Sequence, residues 1–213
     1  MKIGIISDIH AQFDALKRAL RLLEKQAVDQ IICVGDLIDR GDDGDAVVAL
    51  IKRREIPCVQ GNHDKMAKST QAFIKRNPHL NLPLDALKSE TVEFLSALPQ
   101  SLKLNLAGVS VMIVHDNPWH DQTQYIFPNS GVHVFQDVVK TAKTQIIIMG
   151  HTHLPMCVHY QNSVIVNPGS VCINRVEYNQ TCGILHLPER KFDLYDINSG
   201  NQLTLKPIMV PTE

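Results

Sequence analysis

Apolar residues along this chain follow two rhythms. Residues 2–7, 30–35 and 56–60 are short, β-branched runs, too short for helices, and each reads as a strand. Between the first two, residues 13–26 place Leu16, Ala19, Leu20 and Leu23 at helical spacing. Residues 45–54 form a second helical stretch whose last turn is basic, as the helix dipole favours. The order β-α-β-α-β predicts a parallel sheet with right-handed crossovers. Residues 65–76 and 90–98 read as helices separated by a proline-bearing loop over 77–85. Strands over 101–106 and 109–114 flank a turn at Ala107-Gly108, and a long polar and aromatic loop covers 116–130. A helix over 132–143 and a strand over 145–149 follow, then four short runs (156–160, 163–167, 181–187, 191–196) that predict an antiparallel set. The pattern predicts one domain over residues 1–213, with two stacked sheets and helices outside.

The polar residues gather where these runs end. After the successive strands come Asp8-Ile9-His10, Gly35-Asp36, Gly61-Asn62-His63-Asp64, His115 and Gly150-His151-Thr152-His153. Ligands of open α/β sheets bind at the carboxyl ends of strands, so residues scattered in sequence would converge there. Asp8 and His10 are two apart, as are His151 and His153, and in extended chain such pairs point the same way. Taken singly, Asp-x-His reads as a capped turn, Gly35-Asp36 as a turn and His115 as a buried histidine; five such ends in order make coincidence a poor explanation. Asp8, His10, Asp36, Asn62, His115, His151 and His153 are too many ligands for one ion and suit two that share a carboxylate. Asp, His and Asn favour divalent transition metals, manganese first among them, with iron, nickel, zinc or cobalt as alternatives. No cysteine belongs to the set, which argues against a structural zinc site.

Bulk composition narrows the partners. The 213 residues are 44% hydrophobic and 20% charged with a formal net charge of −1, which advertises neither a nucleic-acid polymer nor an acidic membrane surface. The five cysteines (Cys33, Cys58, Cys157, Cys172, Cys182) have no paired spacing and predict a reducing compartment without a disulfide framework. With no apolar run near the roughly 20 residues of a membrane span and no signal-like start, a cytoplasmic protein is expected, and a homo-oligomer is left open.

With D-x-H, G-D, G-N-H-D, H and G-H-x-H present in order, the sequence resembles the calcineurin-like metallophosphoesterase superfamily over nearly its whole length. Its likeness is greatest to the small bacterial and archaeal predicted phosphoesterases, through SDIH at 7–10, the segment 97–104, IFP at 126–128 and NPGSV at 167–171. GDLIDRG at 35–41 also resembles the phosphoprotein phosphatases.

The resemblance implies an α/β fold, a four-layer αββα sandwich of two mixed sheets flanked by helices. It implies that Asp8, His10 and His153 hold one ion, that Asn62, His115 and His151 hold the other, and that Asp36 bridges. It also implies that His63 faces the leaving group, that Asp39 orients His63, and that Arg40 and Arg175 contact the phosphate. In such sites two ions about 3.5–4 Å apart activate a bridging hydroxide for in-line attack on phosphorus. The expected substrate is a small, nucleotide-like phosphodiester. The alternatives are a phosphomonoester (including a phosphoprotein), a dinucleoside polyphosphate and, in another class, a catalytically inactive scaffold.

Asp64 is expected to cap the helix that follows it. The loop over 116–130, with Trp119, His120, Tyr125 and Phe127, either walls the substrate side or packs on the core. Two positions depart from the family pattern: Asp116 stands where glycine usually follows the histidine, and NPGSVCINR replaces NPGSVGxPR.

Overall fold

In the computed structural model, which describes residues 1–77, 79, 87–120, 124–172 and 180–211, the apolar runs pair into two mixed sheets. The elements in chain order are β1 (Lys2–Ile6), α1 (Phe13–Lys25), β2 (Gln30–Cys33), α2 (Gly44–Arg53), α3 (Asn62–Arg76), α4 (Ser89–Ala97), β3 (Ser101–Leu106), β4 (Val109–Val114), α5 (Val132–Ala142), β5 (Ile146–Ile148), β6 (Met156–Tyr160), β7 (Ser163–Asn167), β8 (Thr181–His186), β9 (Lys191–Asp196), β10 (Gln202–Leu203) and β11 (Ile208–Met209). One sheet has the order β10-β9-β8-β1-β2, with β1 and β2 parallel and β8 antiparallel to β1. The other has the order β11-β6-β7-β5-β4-β3, with β4, β5 and β7 parallel at its centre.

Alternation along the strands builds the layers. Ile3 and Ile5 of β1 and Ile32 of β2 face the second sheet and meet Val111, Ile113, Ile146 and Ile148. Ile6 and Cys33 face the other way, onto Leu16, Leu20 and Leu23 of α1 and Val47 and Ile51 of α2. On the far side of the second sheet, Met112, Val114 and Ile147 pack on Phe135, Val138 and Ala142 of α5. Both sheets are therefore apolar on two faces, and the α/β fold expected from the sequence is present as helix, sheet, sheet, helix. Fully burying a side chain of this kind contributes about 1.5–3 kcal/mol, so each face is worth many times one polar contact.

Three expectations need correction. The third run, 56–60, reduces to a single parallel bridge between Cys33 and Cys58. Pro57 can accept from Cys33 N–H (2.9 Å) but has no N–H to give, and Gln60 N–H turns away to the Pro99 carbonyl (2.8 Å), so the ladder cannot extend. The four late runs are not one antiparallel set. They form two hairpins, β6–β7 in the six-stranded sheet and β8–β9 in the five-stranded one. The helix expected from residue 65 begins at Asn62. Most of the expected loop 77–85, and Arg175, lie outside the described residues. All five cysteines are free and buried. Among the described residues no helix is long and apolar enough to cross a membrane.

Candidate metal centre

Backbone bonds stitch the segments that follow β1 and β2 together. Asp8 N–H donates to Gly35 O (3.1 Å), Ile9 and His10 N–H both donate to Asp36 O (2.8 and 3.0 Å), and Ala11 N–H donates to Leu37 O (2.8 Å). Asp8, His10 and Asp36 in this framework, and His151 and His153 after β5, have φ of +53°, +49°, +54°, +68° and +59°. Each is a left-handed conformation that costs a non-glycine residue about 1–3 kcal/mol and persists only where the surroundings impose it. Gly61 is needed for another reason. A Cβ there would overlap the Asp36 carboxylate and its backbone nitrogen. Its absence lets the first turn of α3 close onto Asp36. Asp64, fully buried in that turn, locks the joint by accepting from Asp36 N–H (2.9 Å), Leu37 N–H (2.9 Å) and Gly61 N–H (3.0 Å). Its bond to Gly61 N–H is the capping contact expected of it, made from inside the helix.

The seven residues named from the sequence converge. Asp36 Oδ2 lies 3.3 Å from His115 Nε2 and 3.6 Å from His10 Nε2. His10 Nε2 is 3.1 Å from His153 Nε2, which is 3.2 Å from Asp8 Oδ1. Asn62 Oδ1 is 3.2 Å from His115 Nε2 and 2.9 Å from His151 Nδ1. Asp8, His10, Asp36 and His115 are all but sealed from solvent, and His151 and His153 are buried at the edge.

This donor set fits cations better than it fits itself. A carbonyl only accepts, so His115 Nδ1, 2.6 Å from Val34 O, and His10 Nδ1, 3.1 Å from Ile38 O, must carry protons. The Nε2 atoms that point inward are then left to face other acceptors. Asp8 Oδ1 receives no well-aligned hydrogen bond despite its approach to His153, and His151 Nε2 is buried without a partner. Without ions the charge falls on the histidines. Burial works against the charged His115 imidazole, but Asp36 and Asp8 hold it at about 10, and His153 is pushed up to about 9 chiefly by Asp8 against the same burial. Burial lowers His10 to about 4. For Asp36, burial alone would raise the carboxyl, but His115, His10 and His63 hold it well below the usual range. A coordinated ion displaces such protons. Asp8-Asp36-His115 and His10-Asp36-His63 each bring three potential ligand atoms within 4.8 Å.

At the rim, His63 Nδ1 is 2.7 Å from Asp39 Oδ2, and that bond raises the His63 pKa despite partial burial. His63 N–H donates to Asp36 Oδ1 (2.9 Å). Arg40, at φ +66°, stands with Asp36, Asn62, His63, His151 and His153 around a cleft of about 420 Å³. Tyr125 and Phe127 form its aromatic wall, stacked on each other, and Tyr125 lies flat on His151 at 4.2 Å. Trp119 instead packs against the α5 core. Asp116 is buried, its Oδ1 accepts from Asn117 N–H (2.7 Å), and its negative charge acts on His151 although it does not line the cleft.

Sequence reasoning missed several supporting residues. Ser7 Oγ–H donates to Asp8 Oδ2 (2.6 Å), and Asn167 Nδ2 holds the Gly150 carbonyl (2.7 Å). Ser7 and Asn167 sit inside quoted motifs, which was the available signal. Cys172, set aside earlier, lies 3.8 Å from His153 Nδ1 and forms a potential ligand trio with His10 and His153. The segment after β7 folds over Asp8, with Cys172 N–H on Asp8 O at 3.0 Å, a proximity that cysteine spacing does not reveal.

Residues 1–190 match the family described as the calcineurin-like phosphoesterase superfamily domain. A phosphodiesterase of Methanocaldococcus jannaschii is 23% identical over 197 residues, 90% of this chain and 96% of that protein. Serine/threonine-protein phosphatase 1 of Salmonella typhimurium is 37% identical over 71 residues, only 33% of each chain. A hypothetical protein of Pyrococcus horikoshii superposes with a TM-score of 0.79 at 16% identity, covering 92% of this chain and 87% of that one. The match of nearly the whole length, on a metal-ready cluster at the strand ends, assigns the chain to the calcineurin-like phosphoesterase superfamily, as a phosphoric ester hydrolase.

Proposed function

We propose that the protein is a phosphodiesterase of small, nucleotide-like substrates that works with two divalent transition-metal ions, manganese foremost, with iron, nickel, zinc or cobalt as alternatives. In this reading Asp8, His10 and His153 hold one ion, Asn62, His115 and His151 hold the other, and Asp36 serves both. The observation that carries it is the crowding of inward-facing acceptors around Asp36, with His10 and His153 Nε2 only 3.1 Å apart. Bound ions supply Lewis-acid charge and a water made nucleophilic at neutral pH. The chain's own groups do the rest. Arg40 offers a planar, bidentate grip on phosphoryl oxygens that a lysine would not. Asp39 holds His63 Nδ1–H, which leaves Nε2 to give a proton to the leaving oxygen.

The likeness to the Methanocaldococcus phosphodiesterase, over almost all of that protein, favours the diester. Arg40 at the cleft and the partial likeness to a protein phosphatase favour a phosphomonoester as the second reading. The test is hydrolysis of bis-p-nitrophenyl phosphate against p-nitrophenyl phosphate by stripped protein reloaded with Mn²⁺, with a chelated control. Diester preference is expected. Monoester preference would replace this reading with the second, and no metal-dependent turnover of either would reject both.

A further inference from the structure

We propose that a hollow of about 430 Å³ beside the cleft is the leaving-group subsite and takes an uncharged, ring-sized apolar group. It shares two residues with the metal-side cleft, Arg40 and His63, and has none of the ligand residues in its wall. The proposal rests on His63 being the proton donor. Hydrolysis forms a bond from phosphorus to a water oxygen and breaks the bond to the leaving oxygen, which departs with the electron pair and the His63 proton. The leaving group must therefore lie against His63, and this hollow shares His63 and Arg40 with the metal-side cleft.

Its wall follows from the helix that carries His63. Met66, Ala67 and Thr70 stand three, four and seven residues further along α3, on the same face. Ile38 and Leu87 close the opposite side. Met66 is 57% exposed, a large apolar side chain left in water at the mouth of the hollow. The charged groups of the rim besides Arg40 and His63 are Asp39 and Asp42. Asp39 is engaged by His63 and Arg40 by the reacting phosphoryl group, so a further phosphate on the leaving group would meet the Asp42 carboxylate and the apolar wall, which disfavours dinucleoside polyphosphates and favours a neutral aromatic or aliphatic group. Two hollows astride one phosphoryl position also suit a phosphorus with two organic substituents, the second one lying toward Tyr125 and Phe127.

The test compares leaving groups of matched basicity and different charge: methyl 4-nitrophenyl phosphate against methyl 3-carboxy-4-nitrophenyl phosphate, and the two corresponding monoesters, with Mn²⁺-loaded protein. Wild type is expected to prefer the neutral leaving group by about tenfold in kcat/KM. Met66→Lys, at an exposed position, is expected to lower that ratio by about tenfold, and Thr70→Lys to lower it too. A ratio that is the same in wild type and both variants overturns the subsite. Inert diesters with monoesters that show the shifted ratio would overturn the diester preference and leave the subsite standing. No turnover of any of the four would overturn both.

Discussion

His115 shows how one local bond sets the chemistry of a distant atom. Its Nδ1–H is held by the Val34 carbonyl at 2.6 Å, so only Nε2 is free to face Asp36 and Asn62. The same logic orders His10 through Ile38 and His63 through Asp39. Asp36 is where these rings meet. Asp36→Asn keeps the shape but loses the charge, and should remove both ions and cut activity by at least about 100-fold; metal analysis beside kinetics checks this, and near-normal turnover with ions bound would overturn the ligand assignment. His63→Ala should behave differently, with metal retained and a loss of about 10²–10⁴-fold in kcat. Its pH profile has a definite sign. Asp39 raises the His63 pKa, and a proton donor works only while protonated, so activity falls as pH rises through that value. Asp39→Asn removes the carboxylate and should move the alkaline limb to lower pH; an unmoved limb would separate His63 from the proton transfer. His10, Asp36, His63 and His115 were legible because they sit where apolar runs end, whereas Asp39 was found only through the resemblance of GDLIDRG to the phosphoprotein phosphatases. The contacts of Tyr125 and Cys172 were not, since both reach the centre from loops whose paths depend on tertiary packing.

At the scale of elements, the joint between α3 and the segment after β2 depends on Gly61 and Asp64. Gly61 leaves room for the Asp36 carboxylate, and Asp64 satisfies three backbone donors, those of Asp36, Leu37 and Gly61. Asp64→Ala strands those donors at a buried place, each a penalty of about 1–3 kcal/mol. Destabilisation by about 3–5 kcal/mol in urea unfolding is expected, with weaker metal binding because Asn62 rides on the same turn. A change below about 0.5 kcal/mol would show that solvent replaces the carboxylate. Helix and hairpin positions were readable from period, and β3, β4, β6 and β7 begin and end where the pattern predicts. The third strand failed because Pro57 breaks a ladder that β-branched content alone suggests. The two-residue strands β10 and β11 carry too few positions to show any period.

At the scale of the whole molecule, the candidate ligands come from both sheets. Asp8 and Asp36 follow β1 and β2 of the five-stranded sheet, while His115, His151 and His153 follow β4 and β5 of the six-stranded one. Strand patterning alone shows apolar strands but not which hairpin joins which sheet, because β6–β7 and β8–β9 are placed by pairing with segments distant in sequence, β5 and β1. Ions bound at the centre would therefore tie the two sheets together across their common edge, adding to an interface otherwise made of Ile3, Ile5, Val111, Ile113 and their neighbours. A ligand present at 100 times its Kd stabilises the folded state by about 2.7 kcal/mol if it ignores the unfolded chain. For a chain of this length each kcal/mol moves the melting temperature by about 2–4 °C. Mn²⁺-loaded protein should then melt at least about 5–11 °C above the chelated form, the rise that a single ion supplies. In Asp36→Asn the rise should vanish, because the one carboxylate that faces both ligand groups has lost its charge. A rise of equal size in that variant would place the stabilising ions elsewhere on the molecule and detach the stability of the sheet pair from the candidate centre.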